Sequence, residues 1–211
     1  VPAPKTQKFG ADVLVAEDNP VNLEVARQYL LELGCRVEIA ENGKEAASAC
    51  EMRRYDLILM DCQMPVLDGL SATRQIRENE FRTGSLPVPI IAVTANAYDE
   101  DRKACIDAGM DDYLSKPFSP DQLSDMLQKW VKIEPGSASL DSEAEKPALD
   151  EAFVRTLRGS RPQFLEKLLN LFAGFAPEAM VQIQSSYHAG DAAAIMRLAH
   201  SMKSSGSNIG A

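Results

Sequence analysis

The chain is short of the residues and runs that would place it in several large classes. Its 211 residues include only two histidines and four cysteines. Cys35, Cys50, Cys62 and Cys105 show no CxxC spacing and have no histidine nearby. That excludes the usual zinc patterns and reads as structural thiols in a reducing cytosol. Cys62 directly follows Asp61, so oxidation there would touch its neighbour's chemistry. No apolar run approaches the roughly 20 residues needed to span a bilayer, and the opening residues carry no secretory signal pattern. A glycine-rich phosphate loop is missing, which argues against a flavin- or nucleotide-binding module. The 22 basic residues are outnumbered by 31 acidic ones, for a net charge of −9. Nonspecific nucleic-acid binding needs the opposite balance; recognition of a basic protein surface does not.

What is present suffices for a core, with 45% hydrophobic residues. Residues 11–132 alternate strand-like and helix-like segments five times. The runs Val13–Ala16, Leu57–Met60 and Ile90–Val93 are apolar throughout, as buried parallel strands are. Arg36–Ile39 alternates polar and apolar residues and suits an edge. Asn19-Pro20 supplies an N-cap and a helix-starting proline before Val21, Val25, Tyr29 and Leu33. Asn42-Gly43 opens a second helix, Leu70 and Ile76 lie on a third, and Gly109 ends a fourth. A fifth runs from Pro120 to about Lys132, with Leu123, Leu127 and Trp130 turned inward. Five such units predict an α/β fold, a doubly wound five-stranded parallel sheet of flavodoxin-like order 2-1-3-4-5.

Residues 1–10 and 133–148 read as linkers. Within the second, Glu134–Pro147 is rich in Pro, Gly, Ser, Ala and Glu and could reach roughly 45–50 Å when extended. Residues 149–211 show no strand signals. Phe153, Leu157, Phe164, Leu168, Leu171, Phe172 and Phe175 recur at helical spacing, followed by Met180 and Ile183. Gly190-Asp191 then restarts a helix carrying Ile195, Leu198, Ala199 and Met202. A second, all-α helical-bundle domain is expected.

The chemistry gathers at the ends of the apolar runs. Glu17-Asp18 follows Val13–Ala16, Asp61 follows Leu57–Met60, Thr94 closes Ile90–Val93, and Lys116-Pro117 follows Tyr113-Leu114. Ligands of an open parallel sheet bind beyond the carboxyl ends of its strands, so these groups converge. An acidic pair or a Lys-Pro alone is ordinarily a solvated turn; four strand ends in order are not. Oxygen donors suit Mg²⁺, with Asp18 and Asp61 as direct ligands and Glu17 acting through water. The cation would offset carboxylate repulsion and leave Asp61 ionised, able to attack a phosphoryl donor and form an acyl phosphate. Lys116 and the Thr94 hydroxyl would meet the new charge, with Ala95 small enough to keep the site open.

Glu17-Asp18-Asn19, Met60-Asp61 through Met64-Pro65, Asp68-Gly69, Thr94-Ala95 and Lys116-Pro117-Phe118 resemble the receiver domain of two-component signalling. The resemblance covers about 11–132. It implies Asp61 as phosphoacceptor, the Gln63 carbonyl as a further Mg²⁺ ligand, a cis Lys116–Pro117 bond, and a switch in which Thr94 and Tyr113 move with the face built from helix four, strand five and helix five. In the second domain, His200-Ser201-Met202-Lys203 through Gly210-Ala211, preceded by Gly190-Asp191, resembles a histidine phosphotransfer domain. His200 lies roughly 140° from the Ile195–Leu198–Met202 stripe and is expected to face solvent. Ser204 stands where that family has glycine, still small enough for docking. His188 reads as a capping or surface residue.

The resemblance implies phosphate passing from a kinase histidine to Asp61, then to His200, then to a separate response regulator. It implies a cytoplasmic piece of a hybrid sensor histidine kinase, with inner-membrane anchoring of the parent left open. The family bundle continues past Gly-Ala, so 149–211 is expected to be truncated, lacking its last helix, and to complete itself by helix exchange or dimerisation. A Mg²⁺-dependent phosphatase with an aspartyl intermediate uses the same acids, but such enzymes carry an acid two residues after the nucleophile, where this chain has Gln63. No ATP-binding kinase module is visible in the chain.

Overall fold

The structure, a computed structural model, describes residues 8–94, 99–131 and 162–209. The linker over 133–148, Ala95, Phe153 and Leu157 lie outside the described residues. The chain divides into two compact units, Val1–Lys132 and Ile133–Ala211.

The first unit is a five-stranded parallel sheet of order β2-β1-β3-β4-β5. Its strands are β1 (Asp12–Ala16), β2 (Arg36–Ala40), β3 (Leu57–Asp61), β4 (Ile90–Thr94) and β5 (Asp112–Ser115). The helices are α1 (Pro20–Glu32), α2 (Gly43–Met52), α3 (Gly69–Thr83), α4 (Asp99–Ala108) and α5 (Pro120–Trp130). Helix α1 packs with α5, while α2, α3 and α4 pack in a row, so the sheet is covered by two groups of helices. The apolar strands explain the burial. Every residue of β3 is buried, and β1 and β4 are nearly so, whereas edge strand β2 keeps Ile39 exposed. Alternate residues serve opposite faces: Leu14, Ala16, Ile58, Met60, Ile90 and Ala92 join one core cluster with Ala46, Ala72, Ile76 and Cys105 of α2, α3 and α4.

Local chemistry sets the helix ends. The Asn19 side chain accepts from the amides of Val21 and Asn22, and Pro20 pre-sets the first turn of α1. Gly34, at φ +78°, reverses the chain after α1. Helix α5 opens with a reciprocal capping box between Ser119 and Gln122. It buries Leu123 and Leu127 but not Trp130, which corrects the inward placement expected of that ring. Trp130 is half-buried because its indole N–H donates to Asp112 Oδ2 at 2.9 Å, at the rim of β5.

The second unit contains two long helices, α6 (Pro162–Ala189) and α7 (Ala192–Ile209), packed on each other. Asp191 caps α7 by accepting from the Ala194 amide, and Gly190 makes the turn at φ +71°. Leu165, Leu168 and Ala179 are buried, while Leu169, Met180, Val181, Tyr187 and Met196 are exposed. The buried face of α7 is not the Ile195–Leu198–Met202 stripe, whose members are half-buried; it is Ser204, Ser205, Gly206 and Asn208. These buried residues gather in the last turns of the helix. His200 is half-buried, short of the full solvent exposure expected of it, and Ser204 is only 3% exposed. His188 is exposed near the end of α6, its Nδ1 2.7 Å from the Gln184 carbonyl oxygen.

Candidate functional site

The register of the sheet delivers the site. Ala16 pairs with Met60, Asp61 with Val93, and Thr94 with Ser115. Glu17, Asp61, Thr94 and Lys116 therefore leave the sheet on adjoining rungs at its carboxyl edge.

Carboxylate oxygens of Glu17, Asp18 and Asp61 all lie within 4.8 Å of one another. Glu17 and Asp61 are buried and Asp18 is exposed, so the cluster opens towards solvent on the Asp18 side. The Lys116 ammonium donates to Glu17 Oε2 at 2.5 Å and to Asp61 Oδ2 at 2.6 Å. The other Asp61 oxygen accepts from the Gln63 amide at 2.9 Å. Glu17 Oε1 accepts from the Asn19 amide at 3.2 Å and from Asn22 Nδ2 at 3.1 Å. Burial pushes the Glu17 carboxyl up, to about 8, against the Lys116 ammonium and with the help of neighbouring Asp61 and Asp18. Burial pulls the Lys116 ammonium down, but Asp61 and Glu17 outweigh it and the net direction is up. Two acids thus share one cation in a dry place, with a third acid at the mouth.

The surrounding loops are tightly held. The Lys116 amide donates to the Thr94 carbonyl at 2.7 Å, and the Lys116–Pro117 bond is cis. After Asp61, the Leu67 amide donates to the Pro65 carbonyl at 2.7 Å, a γ-turn with Val66 at φ +66°. A β-branched residue there is strained, and the strain lies in the loop that follows Asp61. Gly69 returns the chain against Asp61, its amide donating to the Cys62 carbonyl at 3.2 Å.

An oxygen-only set of this size fits Mg²⁺. Ligand oxygens about 2.1 Å from an octahedral ion lie roughly 3–4 Å apart, within the span of these three carboxylates. The structure thus brings Glu17, Asp18, Asp61 and Lys116 into one cluster, with Gln63 touching it through its amide and Thr94 on the adjoining strand end. Tyr113 is half-buried on β5, with the Arg102 guanidinium 5.1 Å from its ring centre. His200 belongs to the other unit. Asn22 was missed from the sequence; its place one turn into α1, three residues after the cap, was the available signal.

A doubly wound sheet with an acid-lined crevice at its carboxyl edge defines an α/β module suited to a cation and an anionic ligand, and the comparisons give its family. Residues 13–128 match the profile of the response regulator receiver domain, and the chain belongs to that family. It is 37% identical over 137 residues to the sensor histidine kinase GacS of Pseudomonas protegens, covering 65% of this chain and 15% of that protein. It is 42% identical over 124 residues to hybrid signal transduction histidine kinase K of Dictyostelium discoideum, covering 57% and 10%. The chain therefore spans a small fraction of the length of these relatives. Among solved structures it resembles the receiver domain of sensor histidine kinase PA1611 from Pseudomonas aeruginosa, which has a magnesium ion coordinated in its active-site cleft. That match has 52% identity and a TM-score of 0.52, over 57% of this chain and 97% of that one. The receiver domain of the Arabidopsis thaliana histidine kinase CKI1, complexed with Mg²⁺ and BeF₃⁻, matches at 37% identity and a TM-score of 0.51, over 57% and 89%. The first unit is thus a receiver domain of two-component phosphorelay signalling. Among the described residues, no helix is long and apolar enough to cross a membrane.

Proposed function

We propose that residues 11–132 accept a phosphoryl group on Asp61 from the phosphohistidine of a kinase module. The observation that carries this is the Lys116 ammonium shared by Asp61 and Glu17 beside Asp18. Asp18, Asp61 and the Gln63 carbonyl would hold Mg²⁺, with Glu17 ligating through water. Bound there, the ion supplies charge neutralisation for an anionic donor. One Asp61 oxygen attacks phosphorus as the bond to the donor imidazole breaks, leaving an acyl phosphate and a neutral imidazole. The Lys116 ammonium and the Thr94 hydroxyl face the phosphoryl oxygens. Tyr113, under Arg102, follows Thr94 and changes the α4–β5–α5 face. The chain's own inventory is that of a relay rather than an ATP-using kinase, in keeping with an origin in a hybrid sensor kinase of the cytoplasm.

Residues 149–211, joined by a linker over 133–148, form a histidine phosphotransfer domain in this reading. His200, mid-way along α7 beside exposed Lys203, exchanges phosphate with a receiver aspartate, and a downstream response regulator is its outlet. A further helix, from the same or another chain, completes the bundle. The co-crystal of a yeast phosphotransfer protein, Ypd1, with the receiver domain of Ssk1 includes a receiver that this chain matches at 33% identity and a TM-score of 0.56, over 60% of this chain and 90% of that one, and it supports such a pairing. Two measurements test the reading. Acetyl phosphate with Mg²⁺ is expected to add one phosphoryl to the wild type and none to Asp61→Asn; equal labelling overturns the first step. In a chain extended to include that further helix, phosphate is expected to leave Asp61 more slowly in His200→Gln than with His200 intact; equal rates overturn the second.

A further inference from the structure

Cys62 and Cys105 are 43 residues apart in sequence, yet their sulfurs are 3.5 Å apart. Neither is in a disulfide. The alternation of β3 explains the meeting. Asp61 turns to one face of the sheet, and Cys62 turns to the other, against the core cluster that includes Cys105 of α4. Cys62 is also pinned on both sides of its side chain. Its amide donates to the Val93 carbonyl at 3.4 Å, and its carbonyl accepts from Gly69. The next residue, Gln63, donates its amide to Asp61.

We propose that Cys62 and Cys105 form an oxidative modification site, a disulfide made by hydroperoxides that slows phosphoryl uptake by the neighbouring Asp61. The consequence for uptake rests on the function proposed above; formation of the bond does not. One sulfur attacks the hydroperoxide, the O–O bond breaks, and a sulfenic acid and water (or an alcohol) result. The second sulfur then displaces the sulfenic oxygen, which leaves as water with the second thiol's proton. Two electrons pass from the sulfur pair to the peroxide, which is fully reduced. The hydrogen bond to Cys105 and burial both push the Cys62 thiol up, which slows the first step and favours a small, strong oxidant.

Closing the bond requires the sulfurs to approach by about 1.5 Å, to a length of about 2.05 Å. The bond would tie α4 to the segment that holds Asp61 and Gln63, whose backbone is held by the Val93 and Gly69 hydrogen bonds, and the closure pulls on that segment. A displacement near 1 Å in a reacting geometry is worth on the order of tenfold or more in rate.

The test uses the full chain with excess hydrogen peroxide. Digestion without reductant is expected to yield a Cys62–Cys105 linked peptide, and intact mass to fall by two hydrogens. Phosphoryl uptake from acetyl phosphate and Mg²⁺ is expected to slow about tenfold, and to recover with dithiothreitol. Cys105→Ser and Cys105→Ala are expected to take up phosphoryl normally and to ignore peroxide. Absence of the linked peptide, or the same slowing in the Cys105 variants, overturns the proposal. Reduced wild type that takes up no phosphoryl at all overturns the function proposed for Asp61 instead, while the linked peptide still decides whether the site exists.

Discussion

Gly69 leaves Asp61 no spare room: a methyl group at position 69 would lie 2.0 Å from the Asp61 carbonyl oxygen. The obstacle is backbone, which cannot swing aside as a long side chain would. Gly69→Ala is therefore expected to lose about 3 kcal/mol of stability, as overpacked sites do, measured by urea unfolding of the receiver signal. Unchanged stability would mean that the loop after Asp61 can re-route.

Mg²⁺ affinity separates the roles of the acids. Asp18→Ala is expected to weaken binding strongly by titration calorimetry, because it removes a direct ligand. Glu17→Ala is expected to weaken it less, because Glu17 acts through water and is already held by Lys116, Asn19 and Asn22. Equal affinities in all three proteins would make the cluster purely structural.

Lys116 is expected to matter most when the metal is absent. Lys116→Met leaves Glu17 and Asp61 buried without their shared cation, a change of about 3 kcal/mol in Mg²⁺-free buffer. Burial raises the Glu17 carboxyl to about 8 even with the Lys116 ammonium beside it, and loss of that ammonium raises it further, so the deficit should grow as pH rises above that value and Glu17 ionises in the wild type at less cost than in the variant. Added Mg²⁺ should shrink it. A deficit indifferent to Mg²⁺ and pH would point to lost packing of the lysine stem.

Asp112 gives a test at acid pH. Burial alone would raise its carboxyl, but the Lys129 ammonium, the Trp130 indole and the Tyr113 amide hold it below the ordinary range. A depressed carboxyl stabilises the fold above the unfolded value of about 3.9, and the contribution fades as pH falls through the lower folded value. Asp112→Asn is expected to cost about 2 kcal/mol at neutral pH, with the gap to wild type closing in strong acid. A gap constant with pH would place the effect in packing.

The strands were legible because fully buried parallel strands are written as unbroken apolar runs, and Asp61 stands out as an acid closing one of them. The helix starts at Asn19, Asn42 and Ser119 carry their own capping chemistry. Other features depend on distance in space. Nothing near Trp130 in sequence announces Asp112 as its partner, and a helical wheel drawn for α7 favours large side chains over the small residues that the structure buries. The contact of Cys62 with Cys105 is set by which side of the sheet Cys62 faces and where α4 lies, and only the assembled fold brings these together.

Because the acids, the hydroxyl and the lysine all stand on strand ends, their spacing is inherited from the hydrogen-bond register of β1, β3, β4 and β5. A one-residue slip of β3 would turn Asp61 to the wrong side of the sheet and bring Cys62 to the crevice. The outer surfaces of the helices play no part in that alignment. They can be redrawn to suit a different kinase or regulator while the reacting atoms stay put, so partner choice and chemistry can diverge independently.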